Sequence, residues 1–334
     1  MIMSGQKRVL VTGATGFAGL SLALNLATSG HQVRAVVRNR EKAVVLHQAG
    51  VETVVGDIRD SQVLRQAVHG IDTVYHLAAV FRQAGVPDSE YREVHVDATK
   101  HLVELSAAAD VRRIVHCSTV GVHGSVAEED APATEDAPFR PGDIYQLTKL
   151  QGEEVARETA DRLGVPLTVV RPGPIYGPGD RRLLKIIGGV AKRRFALLGD
   201  GSPHFHMIYV DDLTEVFKLA AESSSAAGRV YIVAGNEAPT LNEFVQEIAQ
   251  VARVKGPPFR LPVWPFLMAG ALCEALCIPF GIEPPIYRRR VKFFTSNRWF
   301  DTSRARAELG FTPKMTLHDG IQRTLNSYRQ LGWV

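Results

Sequence analysis

Tyr145 and Lys149 lie four positions apart in the stretch Ile144–Leu163, which the residue pattern predicts as one long helix ending at Gly164. Residues four apart share a helix face, so the lysine ammonium would lie beside the phenol and favour the phenolate. Thr119, at the end of a predicted strand, adds a hydroxyl that can hydrogen-bond a substrate oxygen. Together the three groups predict a proton relay beside a hydride carrier, as alcohol–ketone interconversion requires.

Three glycines predict where the hydride carrier binds. Gly13, Gly16 and Gly19 directly follow the predicted strand Arg8–Thr12 and open the predicted helix Phe17–Ser29. A tight turn and a close backbone approach both need residues without a side chain. The helix N-terminus then offers unpaired N–H groups to a pyrophosphate. Strand, glycine triplet and helix in this order predict a dinucleotide site.

The end of the second predicted strand bears on the choice between NAD and NADP. Arg38 stands there, with Arg40 and Lys42 close behind and no acidic residue at the strand end. A basic side chain at this place pairs with a ribose 2′-phosphate, so NADP(H) is favoured and NAD(H) is the alternative. A solvated surface role for Arg38 is the other interpretation. Asp57, after the third strand, is placed to meet the adenine amino group or to cap the next helix, a role that suits Asp60 equally.

The elements that would position these groups alternate between short β-branched runs and helical stretches. This alternation predicts an α/β fold with a doubly wound parallel sheet. Residues 1–172 form the predicted NAD(P)-binding domain, to which Met207–Leu219 and Val230–Val233 return. Residues 173–334 form mainly a smaller mixed region that binds substrate. The predicted strands of the first part are Arg8–Thr12, Gln32–Val37, Thr53–Val55, Thr73–Leu77, Arg113–Cys117 and Pro166–Arg171.

Composition excludes several other classes of protein. The 334 residues are 45% apolar and 22% charged, with no repeat, which excludes disordered and solenoid classes. A formal charge of +4 is too small to predict nucleic-acid binding. Three cysteines are too few for a disulfide framework, and no two of them lie beside histidines at the spacing of a zinc site. No apolar signal core precedes the first strand, so a cytoplasmic location is expected.

Several motifs in chain order resemble the extended short-chain dehydrogenase/reductase family, which includes the NAD-dependent epimerase/dehydratase group. The resemblance covers nearly the whole chain and implies a Rossmann-type domain and a homodimer. It implies Thr119 as the Ser/Thr position, Tyr145 as general acid/base and Lys149 as its partner. The motifs are TGATGFAG, GDIRD, HLAA, CSTVGVHG, YQLTK, RPGPIYGPGD, YVDDL and ELGFTP. The implied cofactor contacts are Gly13, Thr15, Gly16, Phe17, Gly19, Arg38, Asp57, Ile58, Ala78, Ala79, Tyr145, Lys149 and Pro172.

Departures from the family pattern bear on the substrate. Sugar dehydratases carry an Asp–Glu pair after the active-site threonine, where this chain has Val120 and Gly121. Nucleotide-sugar epimerases carry asparagine where Pro174 stands, and proline has neither a donor N–H nor a polar side chain. They also carry arginine where Phe205 stands. An alignment shifted by one residue places a neighbouring histidine, His204 or His206, there instead.

These departures favour the branches that resemble 3β-hydroxysteroid dehydrogenases and dihydroflavonol reductases. The resemblance then implies a secondary alcohol or ketone on a bulky, largely apolar small molecule. A 3β-hydroxysterol, or a 4-carboxysterol that is oxidatively decarboxylated, fits this description. The alternative is a nucleotide-sugar 4-epimerase, and a third interpretation is a non-catalytic NADP-sensing protein. Expected substrate contacts are Val80, Phe81, Thr119 and Tyr176.

Residues 261–282 form a strongly apolar segment. Its uninterrupted apolar part is too short to span a bilayer. The segment is expected to be a buried helix that packs on the sheet or closes the pocket. The alternative is a lid or a membrane-facing helix, with peripheral membrane contact through 261–290 that includes the basic run Arg288–Arg290.

Overall fold

The computed structural model describes residues 5–82, 85–256, 260–277 and 288–334. Residues 278–287, and the side chains of Arg289 and Arg290, for which membrane contact was expected, lie outside the described part. The strands are β1 Arg8–Thr12, β2 Gln32–Val37, β3 Glu52–Val55, β4 Thr73–His76, β5 Arg113–Cys117, β6 Leu167–Pro172, β7 Ile175–Tyr176, β8 Leu197–Leu198, β9 Ile208–Tyr209, β10 Val230–Val233 and β11 Arg260–Leu261.

Helices alternate with the strands of the first half and dominate the second. They are α1 Phe17–Thr28, α2 Val44–Gln48, α3 Ser61–Val68, α4 Asp88–Arg92, α5 Ala98–Ala108, α6 Ile144–Leu163, α7 Leu184–Ala191, α8 Val210–Glu222, α9 Leu241–Ala252, α10 Val263–Cys277, α11 Arg288–Lys292, α12 Ser303–Leu309 and α13 Leu317–Gln330. A π-helical turn at Glu93–Asp97 lies between α4 and α5.

A large parallel sheet forms the centre of the molecule, which confirms the predicted fold class. Seven of the described strands pair in the order β10-β6-β5-β4-β1-β2-β3. Its central strands are nearly continuous apolar runs because helices cover both faces. One face packs against α1 and α8 around Leu22 and Phe217. The other packs against α3, α5 and α6 around Leu64, Leu102 and Ala156.

The strand order reverses between β1 and β4, so the crevice where such sheets bind ligands lies at the carboxyl ends of these two strands. Thr12 and His76, the last residues of the two strands, meet there through Oγ1 and Nδ1 at 2.7 Å. The backbone N–H of Ala78 also donates to Thr12 Oγ1, at 3.3 Å. The polar ends of β1 and β4 are thus fixed to each other beside the crevice.

A C-terminal lobe lies over the carboxyl ends of the strands in the large sheet. Its core joins α7, α9 and α13 around Ile187, Phe244 and Ile321. β7 pairs with β9 in a separate small sheet, so the segment around Met207 does not extend the large sheet. β10, by contrast, is the edge strand of the large sheet, next to β6.

The expectation that the apolar segment forms a buried helix is wrong for its described part. Gly270 is the one buried residue among the described residues of α10. α10 contacts α11, and Glu274 of α10 forms an ion pair with Arg288 of α11 at 2.6 Å. Since α1, α3, α5, α6 and α8 already cover both faces of the sheet, α10 has no sheet face to pack on.

Candidate active site

The glycine-rich turn passes so close to other backbone that its glycines cannot carry side chains. Gly13 has φ +73°, and a Cβ there would lie 2.7 Å from the backbone nitrogen of Ala78. A Cβ on Gly19 would lie 2.2 Å from the carbonyl oxygen of Gly13. No side chain caps the N-terminus of α1, where Gly16 is the N-cap residue. The free N–H groups and the open backbone therefore fit a dinucleotide pyrophosphate.

Arg38 lies just beyond the end of β2, exposed to solvent. Asp57, after β3, forms an ion pair with Arg59 at 2.9 Å, and this pairing is the main reason that the pKa of Asp57 is lowered. The charge of Arg38 contributes to the same lowering. Asp60 caps α3, accepting a hydrogen bond from the N–H of Gln62 at 2.8 Å. Arg38 and Asp57 thus lie near each other at the mouth of the crevice.

α6 presents Tyr145 and Lys149 toward the end of β5. Asp143 caps the helix by accepting from the N–H of Gln146, and Gly164 ends it with φ +69°. The buried ammonium of Lys149 donates to the carbonyl oxygen of Cys117, the last residue of β5, at 2.6 Å. This bond holds the lysine of the predicted relay against the strand that leads to the threonine.

Thr119 stands two residues beyond the end of β5. Its Oγ1 accepts a hydrogen bond from the N–H of Gly121 at 3.0 Å and so begins a short 3₁₀ turn. A hydroxyl that accepts from the backbone keeps its own proton to donate. The half-exposed Thr119 side chain can therefore donate to a substrate oxygen.

The electrostatics of Tyr145 differ from the expectation. Burial raises the pKa of Tyr145, and the cations that lower it are Arg82 and Arg182 rather than Lys149. The Arg82 guanidinium lies 5.2 Å from the centre of the Tyr145 ring and pairs with Asp143 at 2.7 Å. The Lys149 ammonium is hydrogen-bonded to the Cys117 carbonyl, and burial lowers the pKa of Lys149. Sequence reasoning missed both arginines, since neither belongs to a quoted motif.

His95 lies in the π-helical turn, and its ring centre is 5.6 Å from that of Tyr145. Its Nε2 accepts from the N–H of Val80 at 3.0 Å, so Nδ1 carries the proton toward Thr148 Oγ1 at 2.8 Å. Burial lowers the pKa of His95 to about 2. A neutral histidine with both nitrogens engaged ties the loop after β4 to α6.

A buried ion pair fixes α6 to the sheet one turn beyond Lys149. Arg171 in β6 donates from Nε to Glu153 Oε2 at 3.0 Å, and both side chains are 1% exposed. The guanidinium also donates to the carbonyl oxygen of Glu135 at 2.9 Å and to His123 Nε2 at 3.1 Å. A charge pair with this many hydrogen bonds is satisfied despite its burial.

The expected substrate contacts differ in position. Val80 and the exposed Phe81 follow β4, and the Phe81 ring lies 5.2 Å from that of Tyr145 in an edge arrangement. Tyr176 instead lies in the core of the C-terminal lobe, with its ring 5.5 Å from that of Tyr209. The structure therefore brings Phe81, but not Tyr176, against the tyrosine of the relay.

The two positions where epimerases carry phosphate contacts differ in their surroundings. The N–H of Ile208, the first residue of β9, donates to the carbonyl oxygen of Pro174 at 3.0 Å. Phe205 is buried against Phe244 and Phe293. His204 and His206 each use one ring nitrogen on a backbone carbonyl, at 2.6 Å and 2.8 Å.

Comparison with known proteins agrees with this geometry. Residues 9–234 match the model of the NAD dependent epimerase/dehydratase family. One relative is the N-acetyl-alpha-D-glucosaminyl-diphospho-ditrans,octacis-undecaprenol 4-epimerase of Escherichia coli O157:H7, 31% identical over 95% of this chain and 94% of its own. Another is 3beta-hydroxysteroid-dehydrogenase/decarboxylase isoform 1 of Arabidopsis thaliana, 28% identical over 96% and 80%.

A solved structure extends the comparison to three dimensions. MoeE5 in complex with UDP-glucose and NAD superimposes with a TM-score of 0.75 at 27% identity, over 97% of this chain and 99% of that one. The proteins similar to this chain thus include dehydrogenases and epimerases, and the MoeE5 structure contains bound NAD. The family match covers the glycine turn, the relay on α6 and the strands that carry them. The chain therefore belongs to the NAD dependent epimerase/dehydratase family and is an enzyme of that class.

Proposed function

We propose that the protein interconverts a secondary alcohol and a ketone on a bulky, largely apolar substrate of sterol type. The observation that carries the proposal is the apolar character of the two positions Pro174 and Phe205. A proline offers no donor and a buried phenylalanine offers no charge, so neither position supplies the usual contact to a nucleotide diphosphate. The relative from Arabidopsis thaliana named as a 3β-hydroxysteroid dehydrogenase/decarboxylase supports this choice.

The proton in this reaction moves through the side chains of α6 and the end of β5. When bound, the oxidised nicotinamide accepts a hydride from the carbinol carbon. Thr119 donates a hydrogen bond to the substrate oxygen and orients it. Tyr145 is the proposed acceptor of the hydroxyl proton; burial raises its pKa, and the positive charge of Arg82 beside its ring opposes that rise. Lys149, held on the Cys117 carbonyl, faces the same crevice and is placed to hold the nicotinamide ribose.

NADP(H) is the proposed cofactor, with NAD(H) as the alternative. Arg38 is exposed beyond β2, and Arg40 and Lys42 follow it, also exposed. Three cations at the mouth of the crevice attract a 2′-phosphate. The neighbouring Asp57 is already occupied by Arg59, which leaves Arg38 free to meet the phosphate.

The substrate is proposed to reach the site from a membrane surface on which α10 lies. Four large apolar side chains at every fourth position of this helix face solvent: Trp264, Met268, Leu272 and Leu276, at 68%, 67%, 61% and 60% exposure. The acidic residue of the helix, Glu274, is paired with Arg288 on α11. The exposed face is therefore uncharged and apolar, as in helices that lie in the interface of a bilayer.

Charge around this helix supports a lipid partner. Arg288 and Lys292 on α11 are exposed beside it, and both attract anionic headgroups. Trp264 stands at one end of the apolar stripe, and tryptophan favours the membrane–water interface. No helix among the described residues is both long and apolar enough to cross a membrane. The proposed contact is therefore peripheral.

Vesicle co-sedimentation tests the membrane contact. We expect binding to phosphatidylcholine vesicles that contain anionic phosphatidylglycerol, and a loss of at least tenfold in the double variant Met268→Ser/Leu272→Ser. The matched control Val44→Ser/Val45→Ser removes two other exposed apolar side chains, on α2, and should bind normally. Equal binding by both variants, or a vesicle-free dimer that only the α10 variant disrupts, would overturn the proposal.

The second candidate is a sugar 4-epimerase. The Escherichia coli relative acts, by its name, on a diphospho-sugar linked to undecaprenol, which is also an apolar lipid. A dehydrogenase releases one reduced cofactor per turnover, whereas an epimerase returns the hydride to its substrate. Absorbance at 340 nm with added NAD(P)⁺ and a 3β-hydroxysterol in mixed micelles separates the two. Reduced cofactor in proportion to ketone supports the proposal; no reduction with the sterol, but interconversion of a sugar diphosphate, contradicts it.

A further inference from the structure

Arg298 lies in a short segment that the fold brings against the end of the sheet. The N–H of Arg298 donates to the carbonyl oxygen of His204 at 2.9 Å, and its carbonyl accepts from the N–H of His206 at 3.0 Å. Arg298 is thus the direct backbone partner of Phe205. Its guanidinium lies 5.6 Å from the centre of the Phe205 ring and 5.0 Å from that of Phe293.

The guanidinium of Arg298 has no acidic partner among the residues that the structure describes. Its NH1 donates only to the carbonyl oxygens of Phe293 and Ser296, both at 3.3 Å. Other arginines of this region have an acidic partner: Arg82 pairs with Asp143 and Arg182 with Asp180. A partly buried cation with no acidic partner among the described residues can take an anion from a bound molecule as its counter-charge.

Arg82 is a second cation close to Arg298. Burial and the charge of Arg82 lower the pKa of Arg298 to about 10, so Arg298 still carries its charge at neutral pH while the two guanidinium groups repel each other. Arg82 in turn lies against the ring of Tyr145. The field of both arginines therefore falls on the part of the cleft beside the reacting group.

We propose that Arg298 binds an anionic group of the substrate, a carboxylate or a phosphate, next to the carbon that reacts at Tyr145. This inference rests on the proposed function and narrows it: the substrate is apolar but carries one anion near its hydroxyl. Epimerases carry an arginine at the position of Phe205. Here the cation is instead Arg298, whose backbone pairs with Phe205 and whose guanidinium lies over the Phe205 ring. A guanidinium fork suits either anion because both present two oxygens.

Ligand binding without turnover tests the site. The probes are dodecanoate, dodecanol and UDP, each titrated below micellar concentration into the enzyme loaded with NADPH, with nicotinamide fluorescence as the readout. We expect an anionic probe to bind at least tenfold more tightly than dodecanol. That advantage should disappear in Arg298→Met and return in part in Arg298→Lys. Arg157→Met, at an exposed position of α6, is the matched control and should bind like the wild type.

The two sources of the anion give different results. Dependence of dodecanoate binding on Arg298 assigns a carboxylate, and dependence of UDP binding assigns a phosphate; each supports the anion site. The phosphate result would at the same time favour a sugar diphosphate over a sterol, so the two proposals fail separately. Anionic probes that bind no better than dodecanol, or that bind Arg298→Met and wild type alike, would overturn the role of Arg298.

Discussion

The cofactor side and the substrate side of the cleft are built in different ways. On the cofactor side, each candidate residue lies on a loop directly after a strand or on the helix that follows, as at Gly13, Arg38, Asp57 and Thr119. On the substrate side, Phe205 and Arg298 come from segments far apart in the chain and meet only through backbone pairing. The cofactor side is thus formed by residues that are close in sequence. The substrate side is formed by residues that are far apart in sequence and meet only in the folded molecule.

The two sides also treat charge differently. Around Lys149, burial keeps three histidines neutral: the pKa of His76 is lowered to about 3, that of His95 to about 2, and that of His116 well below its usual value. On the other side Arg82 pairs with Asp143, whereas Arg298 has no acidic partner among the residues that the structure describes. The histidines packed around the relay are thus neutral, while the substrate side carries an arginine without a described counter-charge.

Replacing Tyr145 by phenylalanine should have the largest effect. The substitution removes the proton acceptor but keeps the ring that packs against Phe81 and His95. We expect turnover to fall by about 10³-fold or more, with little change in cofactor affinity. Stopped-flow kinetics and cofactor titration measure the two quantities. Turnover that stays within tenfold of wild type would remove Tyr145 from the reaction.

Gly13→Ala tests the cofactor side by steric means. A Cβ at Gly13 meets the backbone of Leu77 and Ala78 below 3 Å and also strains a positive φ. We expect at least a hundredfold loss of cofactor affinity, measured by fluorescence titration. Gly30→Ala is the matched control: its φ is +87°, but a Cβ there meets nothing within 4 Å. If both variants lose cofactor equally, the loss comes from general backbone strain and not from the turn.

Arg38→Asp tests the choice of cofactor. Because a carboxylate repels a 2′-phosphate and accepts from a 2′-hydroxyl, we expect NADP(H) to weaken about tenfold or more while NAD(H) changes little. Isothermal titration with both cofactors gives the ratio. Arg65→Asp, at an exposed position of α3, is the control for net charge. Equal weakening of the two cofactors would separate Arg38 from the 2′-phosphate.

The neutral histidines predict how stability depends on pH. In the unfolded chain they bind protons below about pH 6.5, whereas the folded pKa values of His76 and His95 are much lower. Stability from this source is complete above pH 6.5 and decreases as the pH falls, by about 1.4 kcal/mol per pH unit for each such histidine. Urea unfolding between pH 7 and pH 5 measures the slope. His95→Asn should reduce it, and an unchanged slope would contradict the assignment.

The sequence predicted the fold elements of the cofactor side because their signals are local. The strand, the glycine triplet and the helix are adjacent in sequence, and the sheet and its order of elements agree with the prediction. Arg298 could not be found in this way, since nothing near it in sequence marks it as a site residue. The expectation for α10 failed because an apolar composition does not reveal whether a sheet face is free. Spacing also does not reveal that burial raises the pKa of Tyr145 or that the Lys149 ammonium is hydrogen-bonded to the Cys117 carbonyl.

The central claim is that the substrate's own carbinol hydrogen is transferred to the cofactor and leaves with it. A 3β-hydroxy-4-carboxysterol with deuterium at the carbinol carbon, incubated with NADP⁺ in mixed micelles, tests this directly by mass spectrometry. The account predicts one deuterium in each reduced cofactor released and a ketone without the label. Deuterium that stays in the sterol, with no labelled cofactor released, would contradict it.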